Sequence, residues 1–262
     1  MRISYSGIWE DTVRLIRAHA SLAAALAGVF LFLPALLIGH FVPMPEVTEA
    51  DQMVRAFTEH FRANFHWMIL SAVLSAAGTL SILFLVFRGG GTSVGAAIAA
   101  AFSLLLPYFL TVVLTGIPIA LGFMLFLIPG LYLMARFLPI APVMVAENER
   151  NPIGAIRRTW ALTKGNGWAI LGLFLLVFVA GLVLMSVVGG LIGLVLHLAL
   201  PEGLAKFMAL IVSTASSTAL QVVTIFLYAA LYRALTSRRE AAESVQPRDT
   251  GPATIRTDRP AD

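Results

Sequence analysis

The stretch "AENERNPIGAIRRTWALTKGNGW", residues 146–168, breaks a chain that otherwise consists mostly of long apolar runs. Of the 262 residues, 59% are hydrophobic and only 12% are charged, and the mean hydropathy is +0.88. Soluble domains carry about 25% charged residues, because a folded surface must face water. The composition therefore predicts an integral membrane protein, in which the quoted stretch is a polar segment between membrane spans.

The apolar runs are long enough to cross a bilayer, whose hydrocarbon core of about 30 Å takes roughly 20 helical residues. Residues 95–136 are too many for one span, and "LTGIP" at residues 114–118 predicts a break between two helices. Backbone groups in lipid must hydrogen-bond internally, which favours helices over strands. We therefore predict an all-α polytopic membrane helical bundle over residues 21–235, with about six transmembrane helices near residues 21–42, 65–87, 95–113, 118–136, 167–189 and 204–231.

The distribution of lysine and arginine predicts the orientation of the bundle. Fifteen of the 18 basic residues fall in alternate loops and at the termini, whereas Arg55, Arg62 and Lys206 fall on the other side. Because basic loops stay in the cytoplasm, both termini are expected there. The polar tail, residues 236–262, is expected to be disordered in the cytosol. No basic stripe with interleaved aromatic residues is present, so nucleic acid is not an expected partner.

The quoted stretch contains the signals of a short helix. Asn151 can cap a helix that starts at Pro152, and Gly165 can end it in a left-handed turn. We predict that residues 151–164 form an amphipathic elbow helix at the cytoplasmic membrane surface, with its basic residues near anionic headgroups. Its predicted apolar stripe is Ile153, Ile156, Trp160 and Thr163, and its basic flank is Arg157, Arg158 and Lys164.

Two other segments precede spans in the same way. Residues 7–22 lie before the first predicted span, so residues 1–20 are interpreted as an N-terminal amphipathic elbow, and residues 92–107 lie before the third. The order of elbow, outward span and returning span thus occurs three times. It predicts a threefold hairpin repeat, because divergent membrane repeats often survive only as hydropathy symmetry.

Three neighbouring motifs carry a family resemblance. "IPGLYLMARF" (residues 128–137), "APVMVAEN" (141–148) and "NPIGAIRRTWALTKGNGW" (151–168) resemble the glycerophosphoryl diester phosphodiesterase membrane-domain family and its YciC-like relatives. The resemblance implies a six-span bacterial inner-membrane protein of poorly defined role. The matching residues are Pro129, Gly130, Tyr132, Glu147, Ala155, Ile156, Arg157, Arg158, Thr159, Trp160, Leu162, Thr163 and Gly165.

In some members of that family the membrane unit is joined to a soluble phosphodiesterase barrel with a His-Arg-Gly motif. This sequence contains no His-Arg-Gly, and its polar tail is too short for such a barrel. The resemblance therefore implies the membrane unit without the phosphodiesterase activity.

Arg136 and Glu147 allow two interpretations. They form a buried acid–base pair in a lipid or substrate portal, or they lie at the interface, where Glu147 anchors the elbow by pairing with Arg157 or Arg158. The second interpretation is preferred, because long side chains near helix ends reach the interface.

No catalytic, cofactor or metal site is predicted. Imidazole and carboxylate can bind transition metals, but the histidines lack the spacing of a recognisable metal motif. No Gly-x-Ser-x-Gly surrounds the serines within the spans, and the chain has no cysteine. The histidines on the predicted outer side are His40, His60, His66 and His197.

The sequence therefore predicts a non-enzymatic inner-membrane protein that organises or binds membrane lipids or a membrane-protein partner through its basic elbows. The alternative is a transporter or lipid-translocating protein, which requires a polar cavity inside the bundle. A membrane enzyme would require Tyr132, Arg136 and Glu147 around one enclosed pocket. The candidate structural or lipid-contact residues are Arg136, Glu147, Arg157, Arg158, Trp160 and Lys164.

Overall fold

The structure, a computed structural model, describes residues 4–43, 45, 50–89 and 93–245, and within these ranges it contains helices and no strand. The elements in chain order are α1 (Tyr5–Ala27), a π-helical turn (Gly28–Phe32), α2 (Leu33–Phe41), α3 (Ala50–Arg88), α4 (Val94–Leu125), α5 (Leu127–Phe137), α6 (Ile140–Ala146), α7 (Pro152–Leu162), α8 (Gly167–Ala199) and α9 (Glu202–Val245).

Six helical segments are long and apolar enough to cross a membrane, which confirms the predicted all-α, six-span bundle. They are Tyr5–Phe41, Gln52–Arg88, Val94–Leu125, Leu127–Ala146, Gly167–Ala199 and Glu202–Glu240.

The predicted break at residues 114–118 is wrong. Helix α4 continues through Pro107 and Pro118, and the chain turns at Phe126, whose backbone is extended. Proline is tolerated inside transmembrane helices, because neighbouring helices and small local adjustments satisfy the freed backbone groups. The third and fourth spans therefore meet about eight residues later than the sequence suggests, and the fourth consists of α5 and α6.

Two of the three predicted elbows are not separate helices. Residues 7–22 belong to α1, which continues into the first span, and residues 94–107 are the first part of α4 itself. Only α7 is separated from the spans that precede and follow it. The threefold repeat therefore remains a prediction, and its elbows are not equivalent.

The C-terminal tail also begins later than predicted. Helix α9 includes residues 236–245, where a run of Arg, Glu and Ala extends the last span as a helix. These residue types are good helix formers, so the apolar span continues as a helix beyond the membrane core. Residues 246–262 lie outside the described part of the chain.

The core lies in the half of the bundle that adjoins α7. Its largest fully buried side chains include Leu80 and Phe84 of α3, Met144 of α6, and Phe226 and Leu231 of α9. The opposite halves of α3, α8 and α9 are mostly exposed, which places their apolar side chains against lipid.

Candidate functional site

Helix α7 starts where the sequence predicts. The side-chain oxygen of Asn151 accepts hydrogen bonds from the backbone nitrogens of Ile153 (3.0 Å) and Gly154 (3.4 Å), and Pro152 occupies the first turn. Beyond its end, Gly165 has a φ of +82°, in the left-handed region that favours glycine. These local signals explain why the polar stretch folds as a short helix between α6 and α8.

The buried face of α7 differs from the predicted stripe. Ala155 and Thr159 are fully buried, whereas Ile153 and Trp160 are 55% and 41% exposed. Small residues let helix backbones approach closely. The elbow therefore packs on the bundle through these two buried residues together with Leu162 and Thr163, while the two exposed side chains flank the contact.

Arg136 of α5 is buried and binds the C-terminal end of α7. Its Nη2 donates to the carbonyl oxygen of Trp160 (2.6 Å), and its Nε donates to the hydroxyl of Thr163 (3.2 Å). The guanidinium also lies 3.5 Å from the centroid of the Trp160 ring. Since a helix C-terminus carries partial negative charge and unpaired carbonyls, Arg136 serves as a cap. Among the described residues it pairs with no carboxylate.

Glu147 binds different partners. Both of its carboxylate oxygens accept from Nε of Arg158 at 2.9 Å, and one accepts from the hydroxyl of Tyr232 at 3.0 Å. The geometry thus agrees with the interpretation of Glu147 as an anchor of the elbow, rather than as the partner of Arg136. The same interpretation placed Arg136 at the interface, and this part is wrong, because its side chain is buried. The Glu147–Arg158 pair is partly solvent-accessible, so its contribution to stability is at most about 1 kcal/mol.

Helix α9 adds two further links at this end of the molecule. Arg239 donates to the carbonyl oxygen of Ala161 at the end of α7. Arg233 lies 3.6 Å from the carboxylate of Asp11 in α1, which also pairs with Arg14. The elbow is therefore held by α5, by the turn after α6 and by α9.

Three basic residues of the elbow region remain exposed. Arg150, Arg157 and Lys164 make no ion pair or side-chain hydrogen bond in the part of the chain that the structure describes. Exposed aromatic rings lie beside them, with Trp160 at 41% and Trp168 at 66% exposure. Exposed bases next to tryptophan are typical of a protein surface at the headgroup level of a membrane.

The Pro-Gly-x-Tyr motif positions α5 against its neighbours. A Cβ at Gly130 would lie 2.4 Å from the Phe123 ring, and a Cβ at Gly167 would lie 2.6 Å from the Tyr132 hydroxyl. The Tyr132 ring also packs on Trp168, with centroids 5.2 Å apart. The motif therefore brings the start of α8 onto α5, next to Arg136.

Residues 91–95 form a Gly-x-Ser-x-Gly pattern, and its serine lies just before α4, outside the predicted spans. Ser93 is the N-cap of α4, and its hydroxyl accepts from the backbone nitrogen of Ala96 at 3.2 Å. The nucleophile motif of hydrolases places the serine between a strand and a helix, and no strand occurs among the described residues. The pattern here is a helix cap.

The histidines on the far side are dispersed. His40 packs edge-on against Phe41 and Phe207, with centroids 4.9 and 5.4 Å apart, and His66 packs on Trp67. Across the described ranges, no three His, Asp or Glu side chains come together as metal ligands.

A half-open cavity of about 300 Å³, termed the bundle cavity, lies between α3, α4, the α5–α6 segment and α9. The lipid-translocation alternative requires a polar cavity of this kind, so the structure does not contradict it. Sequence reasoning missed this site, because its polar groups come from three helices and share no motif. The polar residues that line it are Thr79, Tyr108, Thr115, Gln221, Thr224 and Tyr228.

Comparison with known proteins agrees with these features. Residues 102–240, more than half of the chain, match the family model described as the membrane domain of glycerophosphoryl diester phosphodiesterase. The chain belongs to this family. The matched segment includes α5, α6, α7 and α8, and with them the hydrogen bonds of Arg136, Glu147 and Arg239 that hold the elbow.

One curated relative is described by its name only as a membrane protein. It is a UPF0259 membrane protein of Pectobacterium carotovorum subsp. carotovorum (strain PC1), 35% identical over 98 residues. These residues are 37% of this chain and 39% of the relative, so well under half of the relative's length is matched. No solved structure matches the chain. The family is thus known, and the chain is a multi-pass integral membrane protein.

Proposed function

We propose that this protein is a non-enzymatic bacterial inner-membrane protein that binds anionic lipid headgroups at its elbow. The observation that supports this most directly is that α7 is fixed to three neighbouring segments, while Arg150, Arg157 and Lys164 stay exposed and unpaired among the described residues. A rigid basic surface attracts anionic lipid, at about 1 kcal/mol for each base near the surface.

The proposed orientation places the elbow in the cytoplasm. The elbow end holds eleven described Lys or Arg residues, namely Arg14, Arg17, Arg88, Arg136, Arg150, Arg157, Arg158, Lys164, Arg233, Arg238 and Arg239, whereas the far end holds Arg55, Arg62 and Lys206. Basic residues are retained in the cytoplasm, so this asymmetry supports cytoplasmic termini. The chain has no cysteine, so labelling of Lys164→Cys by an impermeant maleimide from the periplasmic side would contradict the orientation.

The headgroup proposal is tested with spin-labelled lipids and reconstituted protein. The unaltered protein should restrict the motion of phosphatidylglycerol more than that of phosphatidylcholine, as measured by electron paramagnetic resonance. Substituting both Arg157→Gln and Lys164→Gln should reduce this preference about thirtyfold, because each base contributes about 1 kcal/mol. The preference should also decrease in 1 M salt, where the screening length is only about 3 Å.

The matched control removes two exposed charges from the far end. The double variant Arg55→Gln, Arg62→Gln should keep the preference of the unaltered protein, since both side chains lie away from the elbow. Equal loss in both double variants would show a general effect of net charge, and the elbow would not be the headgroup site.

A further inference from the structure

The bundle cavity contains hydroxyl groups that the protein does not use. The hydroxyls of Tyr108 and Tyr228 make no hydrogen bond within the described ranges, and both hydroxyl oxygens are accessible to small molecules. By contrast, the hydroxyls of Thr115 and Thr224 donate to carbonyl oxygens of their own helices, each at 2.8 Å. Since an unpaired polar group inside a membrane protein is costly, the two phenols call for a partner from outside the chain.

The lining also defines the charge of that partner. No Lys, Arg, His, Asp or Glu is found among the described residues that line the cavity. A phosphate or carboxylate in such a place would be a buried charge without a counter-ion, which is strongly unfavourable. The partner should therefore be uncharged.

The hydrogen-bonding groups indicate the chemistry of its head. The phenols of Tyr108 and Tyr228 can donate to carbonyl or ester oxygens. Gln221 donates from Nε2 to the Ser75 hydroxyl at 3.1 Å, which leaves its carbonyl oxygen to accept from a ligand hydroxyl. Two donors and one acceptor complement a molecule with ester carbonyls and one hydroxyl.

A second cavity offers a place for an apolar chain. It has a volume of about 240 Å³ and lies between α8 and α9, where Phe174, Phe178 and Leu220 contribute to its walls. It shares Thr224 and Tyr228 with the first cavity, so the two adjoin. Phe178 is 50% exposed on the outer surface of α8, which opens this second cavity to the bilayer.

We propose that the two adjoining cavities bind a diacylglycerol-like lipid, an uncharged molecule with one hydroxyl, ester carbonyls and acyl chains. Its head lies among Tyr108, Gln221 and Tyr228, and one chain passes Thr224 into the cavity between α8 and α9. The site is separate from the elbow and does not depend on the headgroup proposal.

The experiment is a titration of the purified protein in detergent micelles with dioctanoylglycerol, measured by native mass spectrometry. Tyr108→Phe and Tyr228→Phe should each raise the dissociation constant about threefold to tenfold, which is the effect of losing one neutral hydrogen bond. Tyr132→Phe is the matched control, because it removes the same hydroxyl outside the two cavities, and binding should not change. Thr224→Leu, which fills the junction, should weaken binding as well.

Competing ligands identify the head. Dioctanoyl phosphatidylglycerol should not compete, and a short-chain quinone, which has carbonyls and no hydroxyl, should bind more weakly than dioctanoylglycerol. Tighter quinone binding would overturn the proposed head, and binding that ignores both Tyr→Phe changes would overturn the location. Melting curves of the ligand-free variants check that each one is folded. The double variant Arg157→Gln, Lys164→Gln should lose the preference for anionic lipid and still bind dioctanoylglycerol as the unaltered protein does. A loss of dioctanoylglycerol binding in this variant would contradict the separation of the two sites.

Discussion

The two ends of this bundle are held together by different forces. At the elbow end, side chains from distant parts of the sequence bind one another or the carbonyls of another helix, as Arg136, Glu147 and Arg239 do. At the far end, the ion pair of Lys206 and Glu202 lies within one helical turn. Burial follows the same division, since residues 76–85 of α3 are almost all buried and residues 52–75 are mostly exposed.

This difference shows where the tertiary structure is specified. Apolar side chains gain little by leaving lipid for a helix interface, so packing and polar contacts decide which helices associate. The elbow end has both, with glycine contacts and capped carbonyls, and it should be the most stable part of the molecule. The far end relies on fewer contacts and should open first.

The largest effect is expected at the buried arginine. Arg136→Gln removes two charged hydrogen bonds to the end of α7 and the contact with the Trp160 ring, and should lower the free energy of unfolding by about 2–4 kcal/mol. Chemical denaturation in detergent micelles measures it. Arg62→Gln at the far end should change stability by less than about 0.5 kcal/mol. Similar values for the two variants would remove the distinction between the ends.

A smaller effect is expected for the exposed face of the elbow. Trp160→Ala should cost about 2 kcal/mol, because the ring packs on Phe137, with centroids 5.9 Å apart, and under Arg136. Arg158→Gln should cost at most about 1 kcal/mol, and Arg157→Gln close to nothing. Detergent melting curves of the three variants rank them. If an arginine variant unfolds first, the interpretation of the Glu147–Arg158 pair as a surface anchor is wrong.

The third effect is expected at a matched pair of glycines in α8. Gly167→Ala should cost about 1–2 kcal/mol, because the added methyl group would overlap Tyr132, whereas a Cβ at Gly190 meets nothing within 4 Å. Gly190→Ala should therefore be neutral or slightly stabilising, as expected for alanine in a helix. The same denaturation assay compares them. Combining Gly167→Ala with Tyr132→Ala should show coupling, and simple additivity would contradict the proposed overlap.

The elements best predicted from the sequence are those fixed by local signals. Six apolar runs, the Asn151 cap and the Gly165 turn each depend on neighbouring residues and on the length of a membrane span. The turn between the third and fourth spans could not be placed, because Pro118 breaks helices in water but is retained within α4.

The candidate site was predicted only in part, for a related reason. Residue types indicate that an acid and a base can pair, which suggested Glu147 with Arg157 or Arg158. They do not indicate that Arg136 binds a backbone carbonyl 24 residues away. Every residue has the same backbone carbonyl, and only the position of that carbonyl in space decides which one Arg136 reaches. The bundle cavity could not be predicted for the same reason, because its lining residues come from several helices that meet only in the folded protein.

The contact between the first and the last helix has a consequence for biosynthesis. Asp11 of α1 pairs with Arg233 of α9, and the His19 ring lies 6.5 Å from that of Phe226. More than 200 residues must be translated between these partners, which takes roughly 10–40 s at ribosomal speed. During that interval the nascent first span resides in the membrane without its final neighbour. Its unpaired face must be covered by lipid or by the insertion machinery until the last span is released.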